Sequence, residues 1–326
     1  MNKTSVSSRH LYAAVLSRGA VLAVAACTLF ACFGTASAET EDDGKKWTPF
    51  ETIDQSALPI VRVGLNGSGP HHRLVLDVGF NDFILDTTLV AGLGLELVSR
   101  NEVATIDFYG REERVPVGYL EELALGGAQF RMVRTLLVEG EDGTGSGGLR
   151  SYGRIGRDVL EPLRMTVHYP RRLLYMEPSP ADEVPDGGVE YRSEGRSLVI
   201  PVSFFSENRS VDASLVLDAS SPMNLLDHKW AVREGLAEKN QSQARVPELS
   251  VGSFRTEQVP FFLGEMKDLP YEGKPVGVIG ADLVRALSVT YDFSRDLLWF
   301  VAVEESSPNT MSEGGPLREP ASSTRH

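Results

Sequence analysis

The feature that most limits the folds open to this chain is an internal duplication. Residues 74–95 lie over residues 215–236 without a gap, matching Leu76-Asp77 to Leu217-Asp218, Ile84-Leu85-Asp86 to Leu225-Leu226-Asp227 and Gly94-Leu95 to Gly235-Leu236, an offset of 141 (218 − 77). A second match follows at an offset of 124 (280 − 156). It lays Gly153-Arg154-Ile155-Gly156-Arg157-Asp158 over Gly277-Val278-Ile279-Gly280-Ala281-Asp282, and Tyr169 to Tyr175 over Phe293 to Trp299. Two matches in the same order mark a repeated architectural unit, in two copies rather than an array. The fall in offset places 17 extra residues (141 − 124) between the two motifs of the first copy.

Between the motifs the hydrophobic period is mostly 2, with Gly at the turns, which predicts strands. Glu122-Leu123-Ala124-Leu125-Gly126-Gly127 followed by Phe130 to Val133 reads as a hairpin, and so does Glu248 to Phe254. Helical pattern is confined to short pieces after each Asp loop and each Gly-x-Ile-Gly. The prediction is a mostly β protein of two duplicated lobes, each around its own core. Its expected boundaries are an N-terminal extension at 39–57, a first lobe at 58–177, a Pro, Gly and acid-rich linker at 178–190 and a second lobe at 191–304. A Ser, Pro, Glu and Gly-rich tail at 305–326 is expected to be disordered. Asp86 and Asp227 stand where helices begin, as N-caps do.

At the N-terminus, Lys3, Arg9 and Arg18 precede the apolar run GAVLAVAACTLFACFG, and Ala36-Ser37-Ala38 offers a small-x-small cleavage site. Residues 1–38 are therefore read as a signal peptide, which sends the protein to the periplasm or the exterior. Val24-Ala25-Ala26-Cys27 offers a lipoprotein box as the minor alternative, the one route by which this chain would meet a membrane. Cys27 and Cys32 both lie in the signal, so a chain cut after Ala38 has no thiol chemistry. The formal charge of −13 excludes nucleic acid as a natural partner, since a phosphate backbone selects a basic surface.

An apolar strand ending in Asp, a turn, a second apolar strand, a helix ending in Gly-Leu and a later apolar-apolar-Gly resemble the aspartic peptidases of the retropepsin and pepsin type. Two copies in one chain resemble the bilobal pepsin plan, from about residue 58 to 303. The resemblance implies that Asp77 and Asp218 meet between the lobes as a catalytic pair. Two carboxylates at contact share one proton, leaving an acid and a base that activate water against a peptide carbonyl. It implies loop support from Gly79, Ser220 and Ser221 and from the Gly156 and Gly280 strands, with no cofactor and no metal. The family turn, Asp-Thr/Ser-Gly-Ser/Thr/Ala, is altered in both copies: Asp77-Val78-Gly79-Phe80 and Asp218-Ala219-Ser220-Ser221. Val78 and Ala219 have no hydroxyl with which to clamp the opposite loop. Ser220 suits the third position only if φ there is negative, and Ser221 keeps a hydroxyl that is expected to orient Asp218.

The extra residues of the first copy fall around Thr105 to Val115, a hairpin with its turn near Gly110. The resemblance implies a flap over a bound polypeptide, carrying Phe108 or Tyr109; an ordinary surface hairpin with an aromatic pair explains the same residues. His71 and His72 lack the spacing of a metal site, and no Gly-x-Ser-x-Gly elbow signals a serine hydrolase. Two functions stay open: an exported endopeptidase working through Asp77 and Asp218, or an inactive pseudo-peptidase that binds a polypeptide in the cleft between the lobes.

Overall fold

A computed structural model describes residues 40–303, apart from 43, 54, 94–96, 108–111, 141, 145–149, 181–183, 195–196, 207–208 and 269–273. The signal, Cys27, the tail and the proposed flap residues Phe108, Tyr109 and Gly110 lie outside the described residues. Described residues are mostly strand, and the strands close into two barrels of the same plan. The first runs Pro59–Leu65, His72–Leu76, Arg150–Ile155, Ile84–Asp86, Ala128–Val138 and Glu112–Leu125, and closes where Val63 and Leu65 pair with Leu125 and Leu123. The second runs Ser197–Ser206, Arg209–Leu217, Gly277–Ile279, Leu225–Asp227, Phe254–Gly264 and Gln243–Val251, and closes where Ser203 pairs with Ser250. In each barrel the strand that leads into the Asp lies parallel to the strand carrying the second motif.

The local chemistry explains the corners. Gly126 and Gly127 both have positive φ (55° and 85°), which makes the two-residue turn between Leu125 and Ala128 that matches strand twist. Asp227 caps the helix His228–Arg233 by accepting from Trp230 N at 2.9 Å, and its other oxygen accepts from Met266 N at 3.2 Å. Asp86 accepts from Thr88 N at 2.7 Å ahead of the helix Thr87–Leu93. Most of the extra length of the first copy lies in the strand Val98–Asp107 and the longer strand Glu112–Leu125 that it pairs with, a hairpin that the second copy lacks.

A third sheet joins the two barrels. Leu163–His168 of the first copy pairs antiparallel with Leu287–Asp292 of the second, with Thr166 opposite Thr290 and their hydroxyls 2.9 Å apart. Because 166 + 124 = 290, this is the one pair in that register whose members are copies of each other, so the local two-fold axis passes between them. Each copy then folds back through an identical turn, with Arg172 (φ 54°) and Asp296 (φ 55°) in the left-handed region at the same offset of 124. The extension contributes the strand Lys45–Pro49 to one side of this sheet, and the linker residues Val189–Glu190 pair with Leu297 and Leu298 at the other. The linker is thus strapped to the sheet at its end, and Trp299 Nε1 also donates to Pro185 O at 3.3 Å.

The expectation of a separate core in each lobe is corrected by the packing. One continuous cluster of buried residues contains Leu76, Leu123 and Ile155 of the first barrel, Leu217, Leu249 and Ile279 of the second, and Met165, Val167, Val289 and Tyr291 between them. The shared sheet turns the inward faces of its two central strands onto both barrels, so apolar surface is buried from one end of the molecule to the other.

Candidate functional site

The two Asp turns are built alike. Asp77 N donates to Ile155 O and Asp218 N to Ile279 O, each at 3.0 Å, which anchors each Asp to the strand beside it. Within the turns, Phe80 N donates to Asp77 O (3.0 Å) and Ser221 N to Asp218 O (3.1 Å). Each carboxylate is then aimed by the amide two residues on: Gly79 N reaches Asp77 Oδ1 at 3.0 Å, and Ser220 N reaches Asp218 Oδ1 at 2.8 Å. This is the local Asx geometry that a short acidic side chain offers a turn.

Gly156 and Gly280 are required by close approach. A Cβ on Gly280 would lie 2.2 Å from Met223 O and 2.8 Å from Ser221 O; on Gly156 it would lie 2.4 Å from Asn81 O. The residues after them complete the contact, Arg157 N donating to Phe80 O and Ala281 N to Ser221 O, both at 2.8 Å. Neither Gly79 nor Ser220 is in the left-handed region. The third turn position therefore needs no glycine on account of φ, which is why Ser220 fits there. Its hydroxyl reaches Asp218 Oδ1 at 2.5 Å, whereas the Ser221 hydroxyl, expected to orient that carboxylate, donates to Met223 O at 2.8 Å. Ser221 is buried beneath the turn and braces the loop instead.

The hydroxyl clamp is replaced by other contacts. Val78 and Ala219 are both buried in the common core cluster. On the second side, Ala57 N donates to Ala219 O at 2.8 Å and the Ser56 hydroxyl reaches the same oxygen at 3.3 Å, while Arg285 Nη2 donates to Ser56 O at 3.2 Å. The segment that opens the first barrel thus holds the turn of the second. Beneath lie three tyrosines, of which Tyr169 and Tyr291 are hydrogen-bonded to each other and Tyr191 to Asp296. Burial pushes the Tyr169 phenol up to about 12, with the Tyr291 bond opposing, so this layer stays neutral at any physiological pH.

The turns differ in charge. Arg154 Nη1 lies 2.6 Å from Asp77 Oδ2, and its guanidinium sits 5.1 Å from the Phe80 ring centre. Arg157, mostly buried, donates to Asn81 Oδ1; burial lowers its affinity for the proton, opposed by Tyr191, Asp296 and Asp77. At the matching positions the second copy has Val278 and Ala281, both fully buried. Neither Arg154 nor the Ser56-Ala57 segment belongs to a motif that marks it for this site in the sequence. The signal for Arg154 was present in the repeat, as a charged residue laid opposite Val278. Among the described residues no three His, Cys, Asp or Glu side chains group as metal ligands.

No protein-family model matches this chain, and no curated protein matches it by sequence. Its structure is similar to that of the aspartic proteinase from Irpex lacteus, with a TM-score of 0.53 over 79% of this chain and 98% of that one, at 12% identity. The chain has the aspartic-proteinase fold. At that identity the likeness extends to the two-barrel architecture alone.

Proposed function

We propose that this protein binds an extended polypeptide segment between its two barrels, over Asp77 and Asp218, and does not hydrolyse it. The observation that carries this reading is the 2.6 Å contact of Arg154 Nη1 with Asp77 Oδ2. A working pair needs a carboxylate oxygen on each side for the shared proton and the attacking water. Here that oxygen of Asp77 is engaged by a guanidinium, a group that does not give up its proton. Residues 1–38 acting as an export signal would place this binding outside the cytoplasm.

The second reading, an exported aspartic endopeptidase, is favoured by one feature: both carboxylates are aimed by the same i+2 amide. In that reading Arg154 withdraws when substrate enters, and Asp77 and Asp218 activate a water between them.

Hydrogen–deuterium exchange of the chain from residue 39, with and without a pool of short extended peptides, tests the binding. Protection is expected in both Asp turns, residues 76–81 and 217–222. Exchange that is unchanged in both turns at millimolar peptide would overturn the reading.

A further inference from the structure

Arg154 is not explained by the fold. Its counterpart Val278 does the same structural work with an aliphatic side chain, fully buried among Val199 and Val216 with Leu225 and Met266 packed over them. A strand neighbour at this place therefore needs no charge. The first copy nevertheless carries a guanidinium there, on the strand Arg150–Ile155, which runs parallel to the Asp77 strand with Arg154 beside Val75. The ion pair is not sealed, since the Arg154 side chain is 23% exposed and that of Asp77 15%. A ligand that reaches Asp77 from solvent meets Arg154 at the same point.

We infer that the polypeptide bound at this site presents a carboxylate, which Arg154 takes in exchange for Asp77. The inference rests on the proposed binding of polypeptide between the barrels and names the chemistry of its occupant. Guanidinium is the side chain best matched to a carboxylate, through parallel N–H donors in a rigid fork. In the free protein Asp77 holds the place of the ligand's carboxylate and keeps Arg154 extended over Phe80. When the ligand arrives, one carboxylate replaces another at the same guanidinium, and Asp77 keeps the Gly79 amide on its other oxygen. A neutral segment gains nothing in this exchange. It must either cover the ion pair, at the cost of desolvating it, or break it without replacement. The net charge of −13 opposes an acidic ligand at long range, but salt near 0.15 M screens that field beyond about 8 Å.

The test is fluorescence anisotropy at that salt with three labelled peptide pools of equal length. The first is uncharged and C-terminally amidated, the second has a single central Glu in the same background, and the third has the uncharged sequence with a free C-terminal carboxylate. Wild type is expected to bind the second or third pool about tenfold more tightly than the first, and which of the two it prefers identifies the carboxylate as side chain or terminus. Arg154→Met should erase that preference while leaving weak binding of the uncharged pool. Asp77→Asn, which removes the internal competitor, should tighten binding of the preferred acidic pool, a result that a merely structural Asp77 would not give. Circular dichroism and thermal melting of each variant separate loss of preference from loss of fold. Equal binding of all three pools, unmoved by Arg154→Met, overturns the inference and leaves polypeptide binding standing. No binding of any pool removes both.

Discussion

Replacing Asp292 by Ala is expected to cost about 3–5 kcal/mol of stability at neutral pH, the usual range for removing one member of a buried ion pair. Asp292 is fully buried on the second copy's strand of the shared sheet, directly opposite Arg164 of the first. It accepts from Ser179 Oγ at 2.7 Å, Arg295 Nη1 at 2.8 Å, Ser294 Oγ at 2.9 Å and Arg164 Nη2 at 3.3 Å. Truncation leaves two guanidiniums, with side chains 12% and 21% exposed, without their common carboxylate. Burial alone would raise the Asp292 pKa, but the two hydroxyls and two guanidiniums outweigh it and hold the group below its ordinary value. A folded pKa below the unfolded one gives stability that is present above about 3.9 and lost as pH falls through the folded value. Urea denaturation should therefore show a wild-type advantage at pH 7 that narrows as the medium is acidified below pH 4. An advantage under about 1 kcal/mol at pH 7 would show that the two halves do not depend on this junction.

The second large effect is expected at Gly280. Gly280→Ala drives a Cβ to 2.2 Å from Met223 O and 2.7 Å from Met223 C, which are backbone atoms of the loop that follows Asp218. A rotamer change cannot relieve that overlap. The strand end must move away from the turn, straining the 2.9 Å bond from Gly280 N to Asn224 Oδ1 and the 2.8 Å bond from Ala281 N to Ser221 O. A loss of about 3 kcal/mol is expected from overpacking of this kind, visible as a lower thermal midpoint. Gly264→Ala, where an added Cβ meets nothing within 4 Å, is the control and should change stability far less. Equal stability of the two variants would mean that the turn accommodates a side chain and that Gly280 is not what fixes it.

Much of this architecture is legible before any coordinates, because duplication imposes the same strand order twice. The two offsets locate both Asp turns and both Gly-x-Ile-Gly strands, and place an extra hairpin around Thr105 to Val115, of which Val98–Asp107 is the first arm. What stays hidden is what depends on contacts distant in sequence. The shared core arises because Met165 and Val289 lie on neighbouring strands of one sheet, a pairing that no local period encodes. The roles of Ser220 and Ser221 are told apart only by the folded turn, since both hydroxyls are chemically fit to reach Asp218 but only that of Ser220 does. The Ser56 hydroxyl and Ala219 O are 163 residues apart in the chain, and nothing in either segment announces their contact. Arg154 was open to view as the single charged residue set against Val278, but its partner follows only from the parallel pairing of its strand with that of Asp77.

In the proposed function Asp77 is held by Arg154 and is not one half of a hydrolytic pair. The most direct test is mass-spectrometric detection of cleavage in a diverse peptide library, from acid to neutral pH, by the folded chain from residue 39 and by its Asp77→Asn and Asp218→Asn variants. No cleavage by any of the three is expected, with peptide binding retained. Cleavage by the wild type that is abolished by either substitution would contradict the proposed function and establish an aspartic endopeptidase.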